Sequence, residues 1–135
     1  MNDKDFFALV KKRRAKYDTV KNIYCPFLKE IVFFNNKGFF HATHSSDKTF
    51  RKRADSVRRL NLLPHIYDCI KYCSEFEYEP RVTPKNDKRN RHNKEIVEYE
   101  LRHRVNKSFK VVVVLKRIGN GRLYYWSVYN NNQTK

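Results

Sequence analysis

The sequence predicts an α+β domain, and three observations carry that prediction. Apolar residues fall at three- and four-residue spacings near the N-terminus, and the spacing changes to two after Glu75. A continuous apolar run, Val111 to Leu115, then leads into a glycine-closed hairpin. Helices first and strands afterwards is the order of an α+β chain rather than of alternating βα units. The chain has 135 residues, enough for one domain around a single core.

Residues 3 to about 20 read as a helix within an N-terminal segment, 1–24. Phe6, Leu9, Val10, Arg13, Tyr17 and Val20 share one side, and Asp3 or Asp5 suits the positive N-terminal end. Cys25-Pro26-Phe27-Leu28 enters a short strand at Ile31 to Phe34. Asn35-Asn36-Lys37-Gly38 supplies turn chemistry before a short helix with Phe39, Phe40 and His41. A second helical stretch covers about Arg51 to Leu60, and a third begins at Pro64, a favoured first helical position. Phe76 and Tyr78 alternate with glutamates. Residues 80–94 form a polar loop with two prolines and six basic residues, read as a mobile arm facing RNA.

Val97, Tyr99, Leu101, His103 and Val105 alternate with Glu98, Glu100, Arg102 and Arg104, the pattern of a half-buried strand. The run Val111 to Leu115 fits a central strand covered on both faces. Gly119-Asn120-Gly121 closes a tight hairpin into a last strand, Arg122 to Tyr129.

Charge points to the partner. Thirty Lys and Arg against fourteen Asp and Glu leave a formal net charge of +16. Such an excess repels itself in a compact fold and is matched most economically to a polyanion, with salt-dependent binding. No long apolar run, lipidation motif or basic amphipathic helix with an uninterrupted apolar face favours a membrane. Nucleic acid is the expected partner. Three cysteines, an odd number, argue against a disulfide framework. His65, Cys69 and Cys73 mimic a metal ladder, but helical positions eight apart lie about 12 Å apart along the axis, too far for one ion. They read as small apolar groups on a buried stripe. The N-terminus carries no signal peptide, so a reduced, cytoplasmic protein is expected, with a toxin domain released from a longer secreted chain as the alternative.

His41 is the leading acid/base candidate, because imidazole titrates near neutral pH and cations crowd it in sequence. Those cations are Lys37, Arg51, Lys52, Arg53, Arg58 and Arg59. His44 is the alternative. Arg53 and Arg59 suit phosphate, whose oxygens the planar guanidinium fork can hold in pairs. Six residues apart, they diverge on an unbroken helix, so a turn near Ala54-Asp55 is needed for both to face one site. Pairing with Asp55 or Asp68 is the ordinary structural alternative. Lys116 and the Tyr124-Tyr125-Trp126-Ser127 segment form a third cluster. A two-residue hairpin loop sets Lys116 against Tyr125, with Ser127 on the same face; a three-residue loop sets it with Tyr124 and Trp126. Trp126 is assigned to the core, Ser127 to phosphate, and an exposed tyrosine to base stacking.

There is no phosphate-loop motif, paired-carboxylate arrangement or zinc spacing. RNA supplies its own nucleophile, the 2′-hydroxyl, so a base, an acid and cationic stabilisation suffice without metal or cofactor.

The order Lys37-Gly38-Phe39-x-His41, Arg53-Ala54-Asp55 through Arg59-Leu60-x-Leu62-Leu63-Pro64, and Gly119-Asn120-Gly121 with Trp126-Ser127-Val128 resembles small bacterial and phage-associated proteins. These are grouped with the barnase, EndoU, colicin-tRNase and RelE nuclease superfamily. The resemblance spans about Cys25 to Val128, apart from the 80–94 loop. It implies N-terminal helices packed on a four-stranded antiparallel sheet within one domain, its nuclease-like core at 25–130. It also implies metal-independent cleavage to a 2′,3′-cyclic phosphate and a 5′-hydroxyl. By position, His41, Arg53, Arg59, Lys116 and Ser127 match the family's polar pattern as catalytic residues. Two departures are visible: Tyr129-Asn130 replaces a proline common after the final Ser-Val, and a second histidine has no counterpart.

The expected function is therefore a toxin- or effector-like endoribonuclease acting on RNA such as tRNA or ribosome-bound mRNA. His41 is expected to deprotonate the 2′-hydroxyl while Arg53, Arg59 and Lys116 stabilise the phosphorane. Lys37, Arg51, Arg58, Arg117 and Tyr125 are expected to bind the RNA. An acidic antitoxin or immunity protein is a further expectation from the resemblance. The alternative is a non-catalytic RNA- or ribosome-binding module on the same fold, with a DNA-binding accessory protein third.

Overall fold

The structure is a computed structural model, and it describes residues 1–45, 47–73, 75–76 and 80–130. It opens with helix α1, Asp3–Thr19, capped by the Asn2 side chain, which accepts from the Asp5 amide at 2.8 Å. A hairpin of β1, Asn22–Cys25, and β2, Glu30–Phe33, comes next. Helix α2, Asn36–Phe40, ends at His41; α3, Arg53–Leu62, runs through a 3₁₀ turn, Leu63–His65, into α4, Ile66–Tyr72. Then come β3, Glu75–Phe76; β4, Arg81–Thr83; β5, Ile96–Asn106; β6, Phe109–Ile118; and β7, Leu123–Asn130.

The α+β class holds, but the sheet is larger than four antiparallel strands. Six strands run in the order β1-β2-β7-β6-β5-β3, and β4 also pairs with β5. The expected antiparallel meander is present as β5-β6-β7. It is extended because the β1–β2 hairpin docks on β7 through a parallel pairing, Val32 with Leu123 and Phe33 with Tyr124. The N-terminal segment 1–24 is accordingly not helix throughout. The basic loop is also shorter than expected, since Arg81–Thr83 forms a strand against β5. The remainder is tied locally: Asp87 pairs with Arg89 at 3.0 Å and the Asn90 amide group donates to Pro84 O at 3.0 Å.

The helices cover one face of the sheet. Leu60, Leu63, Ile66, Cys69 and Ile70 pack with Leu101, Val111, Val113, Leu115, Tyr125 and Val128 in the main core. All five residues from Val111 to Leu115 are buried, as a strand covered on both faces requires. Full burial stabilises each such side chain by about 2 kcal/mol before entropy is counted. On the opposite face Val112, Val114 and Tyr129 form a smaller cluster with Trp126. The three cysteines are free and buried, and Cys25 and Cys73 hydrogen-bond through their thiols. Among the described residues no helix is long and apolar enough to cross a membrane.

Two local features shape the join between α2 and β7. Gly38 lies where a side chain has no room: a Cβ there would sit 2.6 Å from Tyr125 Cδ2 and 2.7 Å from both Tyr125 O and Tyr17 Oη. This close approach seats α2 directly on β7. Tyr17 Oη donates to Asn35 O at 2.6 Å, and the Asn35 side chain caps α2 by accepting from the Gly38 amide at 3.2 Å. The second feature is a β-bulge. Leu115 pairs with Tyr125 but Val114 pairs with Ser127, leaving Trp126 as the extra residue.

Candidate active site

His41 leaves α2 as its C-terminal cap and enters a cleft of about 240 Å³. The cleft is lined by His41, Ser45, Arg51, Glu98, Trp126 and Ser127, with Val114 at its base. Lys116 adjoins it, its Nζ 3.9 Å above the Trp126 ring, and that ring lies 5.1 Å from the imidazole.

Arg51 organises the histidine. Its Nε donates to His41 O at 2.9 Å and its Nη2 lies 3.2 Å from His41 Nδ1. A guanidinium only donates, so Nδ1 accepts and the neutral ring carries its proton on Nε2. Burial, then the positive charges of Arg51, Arg59 and Lys116, lower the imidazole pKa from 6.5 to about 4. His41 is therefore neutral at physiological pH. Burial also lowers the Lys116 pKa, with Glu98 opposing the shift and Lys37 adding to it. Glu98 is the direct cross-strand partner of Lys116.

Beneath the cleft, Asp55 joins the arginines. Its carboxylate lies 3.3 Å from Arg51, 3.4 Å from Arg59 and 3.5 Å from Arg58. Arg59 is only 2 % exposed and donates to Val128 O at 3.1 Å. That bond satisfies a β7 carbonyl beyond the short pairing with β2 and ties α3 to the bulged strand. Burial and the neighbouring Arg51 lower the Arg59 pKa, while Asp55 opposes them.

The structure thus gathers His41, Arg51, Arg59, Lys116, Ser127 and Lys37 into one neighbourhood and sends others elsewhere. Arg53 begins an unbroken α3, pairs with Asp3 at 2.8 Å and stacks on the Phe6 ring at 4.1 Å, so the turn near Asp55 that would bring it alongside Arg59 is not formed. Arg51, just ahead of the helix, takes the place expected for Arg53. Arg58 stays largely exposed beside Asp55. Arg117 alternates away from Lys116; it pairs with Glu30 and donates to Gly121 O at 3.2 Å rather than facing the cleft.

Tyr125 is fully enclosed beneath Gly38 and beside Tyr17, so it offers no face for stacking, contrary to expectation. Trp126, expected in the core, packs against the smaller buried cluster and also walls the cleft. The hairpin sets Lys116 opposite Tyr124, the three-residue alternative, and the bulge then carries Ser127 into the same cleft as Trp126. His44 is held against Phe40 and Phe50.

Glu98 and Ser45 were missed in the sequence. Glu98 belongs to an alternating Glu/Arg face that reads as solvated, and only the α2–α3 connection folded over it makes a cleft wall. Among the described residues no group of three or more His, Cys, Asp or Glu is gathered as for a metal ion. The chain matches no protein-family model, no curated protein and no solved structure.

Proposed function

We propose that this chain is a metal-independent endoribonuclease, toxin- or effector-like, that cleaves RNA by 2′-hydroxyl attack. The products are a 2′,3′-cyclic phosphate and a 5′-hydroxyl. The observation that carries the reading is His41, buried in a cleft that it shares with the Glu98 carboxylate, the Arg51 guanidinium and the hydroxyls of Ser45 and Ser127, with Trp126 as a wall and Lys116 adjoining. Acid/base groups and fixed positive charge converging on one concave site are what an in-line phosphoryl displacement requires.

The tautomer divides the roles. With Nδ1 accepting from Arg51, the free nitrogen of His41 is a donor, so Glu98 is the better acceptor for the 2′-hydroxyl proton. The 2′-oxygen forms its bond to phosphorus as Glu98 takes its proton, the bond to the 5′-oxygen breaks, and His41, in its protonated form, gives the Nε2 proton to that leaving oxygen and returns to the neutral ring. A phosphate in the cleft offsets Arg51, Arg59 and Lys116 and draws Arg51 Nη2 from Nδ1 to a phosphate oxygen, so Nδ1 takes up from solvent the proton that makes His41 the acid. This exchanges the base role expected for His41 and fills the unassigned acid. Arg51 and Lys116 stabilise the phosphorane, and Ser127 orients a phosphate oxygen. Arg59 acts as a positioning residue through Asp55 and Val128. Lys37 extends the cationic rim toward the RNA backbone. An acidic antitoxin or immunity protein would be complementary to the same rim.

The test incubates the protein with single-stranded RNA and total RNA in EDTA, beside His41→Ala and Glu98→Gln. Cyclic-phosphate ends that fall at least about a hundredfold in both variants are expected, as for loss of a general acid or base. Cleavage by His41→Ala at the wild-type rate would overturn the reading. Binding without cleavage, with or without ribosomes, would leave a non-catalytic RNA-binding module.

A further inference from the structure

Between α2 and α3 the chain turns back through a bridge between His44 and Phe50. Ser45 N donates to Thr49 O and Arg51 N to Thr43 O, each at 2.9 Å. The Asp47 carboxylate accepts from the Ser45 hydroxyl, from Thr49 Oγ1 at 2.7 Å and from the Thr49 amide at 3.1 Å. These bonds hold the Asp47 pKa down at about 2. Ser45, Asp47, Thr49 and Arg51 thus tie the two sides of the connection together.

It presents three rings. The His44 imidazole lies 3.8 Å from Phe40 at an interplanar angle of 9°, and 4.1 Å from Phe50 at 40°. Thr43 Oγ1, 2.9 Å from His44 Nδ1, fixes the imidazole further. Phe40 is 43 % exposed and Phe50 is 80 % exposed, so much of the burial available to a phenylalanine is forgone. Single exposed apolar residues are ordinary, but a braced cluster of rings is not a scattered one.

Its surroundings are cationic. Lys48 and Lys52 flank Phe50 in sequence and are exposed. Phe40 also borders a second concavity of about 420 Å³ with Arg14, Lys37 and Thr43. Ser45 and Arg51, from the same connection, line the His41 cleft. The rings therefore stand beside the site of proposed chemistry.

We infer that the Phe40–His44–Phe50 cluster is a stacking subsite for an unpaired RNA base next to the nucleotide held in the His41 cleft, an inference that rests on the RNA-cleaving reading of that cleft. An open aromatic face set among lysines matches a nucleobase joined to phosphates. An apolar protein side chain would leave those charges unmatched. A duplex hides its base faces, so the subsite selects single strands, and stacking makes it tolerant of base identity.

The test measures affinity for a short 2′-O-methyl oligonucleotide, which lacks the attacking hydroxyl, and for versions with one abasic position moved along it. Phe50→Leu removes the ring and keeps an apolar group; Phe50→Trp restores a stacking face. Phe50→Leu is expected to weaken binding about tenfold, and Phe50→Trp to recover it. One abasic position is expected to weaken the wild type by a similar factor and to leave the leucine variant unaffected. Wild-type affinity in Phe50→Leu would overturn the subsite and reassign the rings to a protein contact. The expected pattern without cleavage of the ribose form would remove the nuclease reading and keep the subsite. Cleavage lost in His41→Ala, with binding unmoved in Phe50→Leu, would do the reverse. No binding by the wild type would overturn both.

Discussion

The Nη2 of Arg51 sits 3.2 Å from Nδ1 of His41 while Nε of the same guanidinium donates to the His41 carbonyl at 2.9 Å. One arginine thus sets the tautomer of the imidazole, fixes its backbone and depresses its pKa. Replacing Arg51 with Gln removes a positive charge and is expected to raise the His41 pKa from about 4 toward 6.5. NMR titration of the imidazole carbon-bound protons measures it. An unchanged midpoint would show that burial, with Arg59 and Lys116, sets the value without Arg51.

The same shift makes folding pH-dependent. The folded state disfavours the protonated ring, so the unfolded chain binds the extra proton between about pH 6.5 and about pH 4. The stabilisation is fully present above pH 6.5 and is lost as pH falls through 4, by about 3 kcal/mol at most. Denaturant midpoints across that window are expected to drop, and His41→Gln is expected to flatten this part of the profile.

Asp55 links the arginine cluster beneath the cleft. Removing its carboxylate leaves Arg51 and the buried Arg59 without their shared counter-charge. Asp55→Ala is expected to cost about 3 kcal/mol in urea unfolding, in the manner of breaking a buried pair from one side. A cost below about 0.5 kcal/mol would place Asp55 among ordinary surface ion pairs.

Gly38→Ala tests how α2 is seated. Its Cβ would meet the Tyr125 backbone and ring, and the Tyr17 hydroxyl, which is held by its hydrogen bond to Asn35 O. A loss of about 1–3 kcal/mol is expected. Because α2 carries His41, cleavage is expected to fall even at temperatures where the variant remains folded.

Trp126 is the single tryptophan of the chain and packs under Lys116. Oligonucleotide binding is expected to change its fluorescence, with affinity falling as salt rises. Lys116→Met is expected to reduce the logarithmic salt slope by about 0.7, the contribution of one phosphate contact on a single strand. An unaltered slope would remove Lys116 from the phosphate contacts.

Much of this architecture is written locally. The three- and four-residue spacing of Phe6 to Tyr17 gives α1, the unbroken Val111 to Leu115 run gives the covered strand, and Asn35 to Gly38 marks the entry to α2. What escaped the sequence depends on pairing at a distance. The β1 strand is only four residues long, and the hairpin it forms with β2 finds its parallel neighbour, β7, near the other end of the chain. Register was hidden by bulges. Counting back from the Asn106–Phe109 pair would set Lys116 against Tyr99; the bulge between Arg104 and Asn106 sets it against Glu98. A second bulge moves Trp126 out of the strict alternation. Arg53 and Arg59 diverged as six helical residues must, and nothing local marked Arg51 as the residue that reaches His41.

The most direct measurement compares one single-stranded sequence made as RNA and as its fully 2′-deoxy form, each incubated with the wild-type protein in EDTA. The account predicts that only the ribose form is cut and that its 5′ fragments end in 2′,3′-cyclic phosphate. Equal cutting of both forms would contradict it, because the nucleophile would not be the 2′-hydroxyl that this cleft is proposed to activate.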